Sequence, residues 1–170
     1  MTTKAAAFLR GVSPILVKNA DLVRVFEAAG FRSVRTVLSS GNVIFEGALA
    51  SAEKRIEAAM QSELGRVFAP IVRSGDELRE LIAADPFADF RLPPKSKRVV
   101  SFFRNPPKPK IALPAKHENA TLHAVKGRHA FTSYVPDPGN PAFMVLIERA
   151  FGREVTTRTW DTLLKVAKLV

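Results

Sequence analysis

The sequence predicts an α+β protein of two ferredoxin-like (βαββαβ) halves, the second degenerate, followed by a C-terminal helix. Three observations carry this expectation. The first 73 residues alternate period-2 and period-3.6 apolar patterns in the order β-α-β-β-α-β, the split βαβ arrangement. The second half repeats strands and helix in a similar order without the first crossover helix. Finally, the chain closes on an amphipathic segment that begins at Thr159.

Lys4 to Leu9 reads as a short apolar strand. Lys18 to Gly30 reads as a helix: Asn19 can cap it, Leu22, Val25, Phe26 and Ala29 repeat at helical spacing, and Gly30 stops it. Ser33 to Leu38 and Asn42 to Glu46 form a hairpin around Ser39-Ser40-Gly41. A second helix follows, capped by Ser51, striped by Ile56, Ala59, Met60 and Leu64, and ended by Gly65. Phe68 to Arg73 is the fourth strand. Ser74-Gly75-Asp76-Glu77 is a capping box that opens a short acidic helix, closed by Asp85-Pro86.

In the second half, Arg98 to Phe103 reads as a strand and Asn105 to Pro114 as a proline-rich connection. Asn119 to Val125 and His129 to Val135 pair around Lys126-Gly127-Arg128. Pro138-Gly139-Asn140-Pro141 turns into a helix with Phe143, Leu146, Ile147 and Ala150 inward and Gly152 at its end. Glu154 to Thr157 is a last short strand, and the terminal helix presents Trp160, Leu163, Leu164 and Ala167 on one face. The expected domains are residues 1–73, a linker of acidic helix and basic proline-containing segment at 74–96, and residues 97–170.

Composition narrows the function classes. At 170 residues, 46% hydrophobic and 25% charged, the chain can bury a core. No apolar run approaches the ~20 residues of a spanning helix, and the start lacks a signal peptide's apolar region, so a cytoplasmic location is expected. The absence of cysteine excludes disulfides, a thiol nucleophile and thiolate metal ligands. His117, His123 and His129 fall on no common helical face, and neither metal nor cofactor is expected. Glycine-rich phosphate loops, nucleophile elbows and His-Glu-x-x-His are lacking, so the expectation leans away from an enzyme.

The net charge of +10 is unevenly placed. Residues 1–73 hold 10 basic and 6 acidic side chains, 74–90 hold 1 and 5, and 91–170 hold 15 and 5. The densest part contains Arg91, Lys95, Lys97, Arg98, Arg104, Lys108 and Lys110 with no acid, interleaved with Phe102, Phe103 and prolines. Basic groups beside aromatics on a sheet suit single-stranded nucleic acid, the cations meeting phosphates and the rings stacking on bases. A solvated basic face accounts for the same run. Phe102 and Phe103 are adjacent, so only one can lie on a given sheet face.

Three segments occur in order and at characteristic separations: Leu9-Arg10-Gly11 after the first strand, Val34 to Phe45 around Ser39-Ser40-Gly41-Asn42, and Thr156-Thr157-Arg158-Thr159-Trp160-Asp161-Thr162. Together they resemble the bacterial domain-of-unknown-function family 1697 across almost the whole chain. The resemblance implies an α+β architecture with two related halves, in agreement with the periodicity. The chain departs from that family at Val12-Ser13-Pro14-Ile15-Leu16-Val17, which is poorer in glycine and more apolar, against a phosphate-cradling loop. A second departure is Asn140-Pro141-Ala142-Phe143, where relatives often carry Ser and Lys.

Two function readings follow. In the first, a non-catalytic binding protein engages an anionic partner, with nucleic acid as the class, through Arg91, Lys95, Lys97, Arg98, Arg104, Lys108 and Lys110. In the second, an enzyme or ligand-binding protein recognises a small anion in a cleft between the halves with Arg10, Gly11, Ser40, Asn42, Thr157 and Arg158. Guanidiniums with neutral hydroxyl donors suit carboxylate or phosphate. Cap and turn chemistry accounts for most of these residues singly. A third reading is a scaffold whose exposed sheet edge pairs with another chain.

Overall fold

The computed structural model describes residues 2–170. Among them nine strands and five helices form two antiparallel sheets, so the chain is α+β. Two compact units are present, one running to Ala83 and including Leu164–Val170, the other spanning Ala84–Leu163. No helix among the described residues is long and apolar enough to cross a membrane.

The first unit contains β1 (Thr3–Leu9), α1 (Asn19–Ala28), β2 (Arg32–Val37), β3 (Asn42–Gly47), α2 (Ala52–Leu64), β4 (Pro70–Ser74) and α3 (Gly75–Ala83). Its sheet has the order β2-β3-β1-β4. Ala5 pairs with Phe45, and Ala7 with Val43 and Val72. Period-2 alternation turns Ala5, Ala7, Leu9, Val43, Phe45 and Val72 to one face, where they meet Leu22, Val25, Phe26, Ile56 and Met60 of α1 and α2. Phe26, Phe31 and Phe45 form a tilted ring cluster with centroids 4.5–6.3 Å apart. Burying each ring contributes about 2–3 kcal/mol.

Two helix starts differ from the sequence expectation. Lys18, not Asn19, is the N-cap of α1, and its N–H donates to Asp21 Oδ2 at 3.4 Å, while Asn19 Nδ2 donates to Leu38 O at 3.5 Å. Ser51 precedes α2 but caps nothing with its side chain, because its φ of 54° places it in the left-handed region. The entry is held instead by Arg55, whose guanidinium donates to Ala48 O and Ala29 O at 2.9 Å each. Gly65 ends α2 as expected, at φ 68° with its N–H on Gln61 O. β4 begins later than expected, since the Phe68 N–H is taken by Met60 Sδ at 3.3 Å. The capping box is present in full: the Ser74 N–H donates to Glu77 Oε2 at 2.8 Å and the Glu77 N–H to Ser74 Oγ at 3.1 Å. α3 then packs on β1 and β4 through Leu78 and Leu81.

The second unit contains β5 (Lys97–Phe102), β6 (Ala115–His117), β7 (Ala120–Lys126), β8 (His129–Tyr134), α4 (Ala142–Phe151) and β9 (Thr156–Thr159), followed by α5 (Trp160–Ala167), whose last residues count with the first unit. The sheet order is β6-β7-β8-β5-β9. Strand β6 was not expected. Without it, β7-β8-β5-β9 follows the same pattern as β2-β3-β1-β4. Leu146 and Ala150 of α4 pack on Ala120, Leu122 and Ala130. β9 lies two residues beyond its expected place, fixed by pairing of Phe102 with Thr156 and Val99 with Thr159. Thr159 Oγ1 accepts the Thr162 N–H at 3.3 Å and so caps α5.

Candidate anion-binding surface

Strand β5 divides the basic run in two. Arg91, Lys95 and Lys97 lie at or before its start and Arg104, Lys108 and Lys110 beyond its end, and the six-residue strand between them is about 20 Å long at ~3.3 Å per residue. All six are exposed. Arg91, Lys95, Lys97, Lys108 and Lys110 have no ion-pair partner among the described residues.

Local structure holds some of them outward. Ser96 returns to Pro93 through its N–H at 3.2 Å and its Oγ at 2.6 Å, closing a turn with Pro94 second and Lys95 third. Lys95 takes φ 65° there, where a type II turn ordinarily has glycine. An L-residue in that region is strained by roughly 1–2 kcal/mol.

Arg98 is different from the other six. It is half-buried, with its guanidinium carbon 6.0 Å from the Phe87 ring and 5.7 Å from Trp160. Phe87 in turn meets Phe131, Trp160 and Phe90 edge-on at 5.5–6.2 Å. This cation belongs to an aromatic cluster and is not presented to solvent as the others are. Nor are the two phenylalanines of the run platforms for bases. Phe102 is buried, edge-on to His129 at 5.3 Å, and half-buried Phe103 packs on Phe151 at 4.9 Å.

Among the residues of the cleft reading, Arg10, Gly11, Ser40 and Asn42 lie in the first unit, Thr157 and Arg158 in the second. The first four share one end of the sheet, joined by the Leu9 N–H on Gly41 O at 2.8 Å. Gly11 is exposed at φ 80°, and the Arg10 N–H donates to Ala69 O at 3.2 Å. Asn42 is buried, and its Nδ2 donates to Val37 O and Ser40 Oγ at 3.0 Å each, which ties the hairpin turn. Arg158 lies opposite Val100, and its guanidinium donates to Thr157 O at 2.7 Å. Desolvation pulls its pKa down to about 10, so it is charged at neutral pH.

Two features escaped the sequence reading. Arg73, expected only as a strand end, is the largest fully buried side chain, and its guanidinium donates to Val72 O at 3.0 Å. Lys116, on β6, lies outside the basic run of 91–110 but is exposed in the same segment as Lys108 and Lys110. A period-2 pattern running on from Pro107 would have found it.

Residues 1–131 match the sequence profile described as protein of unknown function (DUF1697). Comparison with curated proteins gives no match. A solved structure of a conserved bacterial protein from Streptococcus pneumoniae is similar in fold, with a TM-score of 0.71 and 16% identity, covering 99% of this chain and 98% of that one.

Proposed function

The chain belongs to the DUF1697 family of proteins of unknown function, and from that premise we propose that it is a non-catalytic binding protein for an extended polyanion, with nucleic acid as the partner class. The observation that carries this reading is the pair of exposed basic groups that flank β5, a strand about 20 Å long, five of whose cations have no carboxylate partner among the described residues. A small metabolite anion cannot touch both groups at once. A duplex, with one charge per ~1.7 Å, or a single strand can. Because Phe102 and Phe103 are turned inward, contact is with phosphates and is largely indifferent to sequence.

In this reading both units are ferredoxin-like, supported by the β-α-β-β-α-β order of the first and the matching strand order of the second. The protein acts in the cytoplasm without a cofactor. The small-anion reading has less support, since Asn42 ties its own turn and Arg158 donates to its own strand.

The test is titration of labelled single-stranded and duplex oligonucleotides over a salt series. Binding should weaken steeply with salt, and Lys95→Gln with Lys97→Gln, or Lys108→Gln with Lys110→Gln, should each reduce the slope of log K against log salt by about 1.4 for single strands. Undetectable binding at low salt would sink the proposal.

A further inference from the structure

From Pro107 to Glu118 every second residue is exposed and every other one half-buried. The half-buried row contains Ile111, Leu113 and Ala115, which pack against the apolar cluster of the second unit. The exposed row reads Lys108, Lys110, Ala112, Pro114, Lys116 and Glu118. The segment keeps one side on a core although the chain bends at residues 110–111 and 113–114. It continues directly into β6, which pairs with β7 through Lys116 and Thr121 and forms the edge of its sheet. The segment is pinned near its middle by the Lys110 N–H, which donates to Ala150 O at 2.9 Å at the end of α4. Prolines 106, 107 and 109 stiffen its first part.

We infer that this segment is a track for one nucleic-acid strand, with Lys108, Lys110 and Lys116 contacting successive parts of its phosphate backbone. The inference rests on the polyanion reading above and adds the binding path and the form of the partner. Lys108 and Lys110 are two residues apart, at most about 7 Å, and Lys116 is at most about 21 Å further on. The row is one lysine wide, because the intervening side chains are turned into the core. One charged line follows one backbone, whereas a duplex presents two and needs a broader surface. Neither Lys108, Lys110 nor Lys116 has an ion-pair partner among the described residues, and Glu118 marks the acidic end of the row. Holding the lysines in place beforehand lowers the ordering cost of contact.

The experiment compares the wild type, the triple variant Lys108→Gln, Lys110→Gln, Lys116→Gln, the same three sites changed to Arg, and Lys95→Gln with Lys97→Gln. Each is titrated with a single-stranded oligonucleotide, its duplex and inorganic polyphosphate across a salt series, after circular dichroism has established that it is folded. The track predicts tighter binding of the single strand than the duplex. It also predicts a single-strand salt slope reduced by about 2 in the Gln triple variant and restored by Arg. If the wild type binds but the Gln triple variant binds equally well while the Lys95 and Lys97 variant does not, the track is wrong and the polyanion reading stands. Preferential duplex binding overturns the single-strand form, and preferential polyphosphate binding overturns nucleic acid as the occupant. No binding by the wild type at low salt removes both readings.

Discussion

Phe90 lies flat on His123, with ring centroids 4.3 Å apart and planes 11° from parallel, while His123 Nε2 stands 2.8 Å from Ser133 Oγ. One face of the imidazole is therefore covered by carbon and one nitrogen is taken by a hydroxyl. Burial accordingly holds its pKa below the ordinary 6.5.

Since the folded protein resists protonation of His123 more than the unfolded chain does, the unfolded chain takes up more protons below pH 6.5. The stability tied to neutral His123 is complete above that pH and is lost as pH falls through the folded-state value. Melting temperature recorded from pH 7.5 to 5 should decline more steeply in the wild type than in His123→Gln. Equal slopes would show that the ring does not feel its surroundings.

Lys95 offers a separation of stability from binding. Lys95→Gly relieves the φ of 65° and should raise stability by about 0.5–1 kcal/mol, even though glycine adds unfolded-state entropy. It should at the same time weaken polyanion binding and lower the single-strand salt slope by about 0.7. Denaturant unfolding and anisotropy titration of the same preparation measure both. A variant that is stabilised and binds as tightly as before would remove Lys95 from the binding surface.

Two serines before helices should behave oppositely. Ser74→Ala deletes half of a complete capping box and should cost about 1 kcal/mol. Ser51→Gly removes no cap bond and relaxes a φ of 54°, so it should be neutral or stabilising by a few tenths of a kcal/mol. Urea midpoints of the two variants suffice to check the contrast.

Gly41 and Gly65 differ in the same instructive way. A Cβ at Gly41 would come within 3.0 Å of the Val12 side chain and 3.1 Å of Leu9 Cβ, at φ 80°. At Gly65 a Cβ meets nothing within 4 Å, and only the φ of 68° opposes it. Gly65→Ala should cost about 1 kcal/mol and Gly41→Ala about 2–3 kcal/mol, from strain plus crowding. Thermal unfolding of both would expose any error in this order.

Arg158→Ala discriminates the two anion readings. If the partner is a polyanion on the basic surface, the variant loses the bond to Thr157 O and about 1–3 kcal/mol of stability, while oligonucleotide affinity stays within about twofold. A larger loss of affinity than in Lys108→Gln with Lys110→Gln would favour the small-anion reading instead.

The fold was legible wherever a pattern repeats. Leu22, Val25 and Phe26 of α1, and Leu146, Ile147 and Ala150 of α4, are buried as their spacing requires. Where a residue type permits two roles, the sequence could not choose. Ser51 has the chemistry of a cap, but it stands in the left-handed region and makes no cap bond, while the entry is tied by Arg55, whose bond to Ala29 O spans 26 residues. Strand β6 was hidden because the alternation that leads into it is crowded with prolines, which read as a connection and not as a strand. The basic run was visible as charge, yet its division by β5 and the inward turn of Arg98 depend on which residues pair with β8. Arg73 gave no signal, since nothing local distinguishes a buried arginine from an exposed one.

Arg79 donates to Val170 O at 2.7 Å, and Gly75 lies close enough that an added Cβ would be 3.1 Å from the Val170 carbonyl carbon. Both partners belong to the first unit, but the ribosome completes residues 84–163 before it reaches Val170. On a nascent chain the strands and helices through Ala83 must therefore wait with this contact open while the whole second unit is made. The first unit to emerge thus receives this contact only after the second has been synthesised.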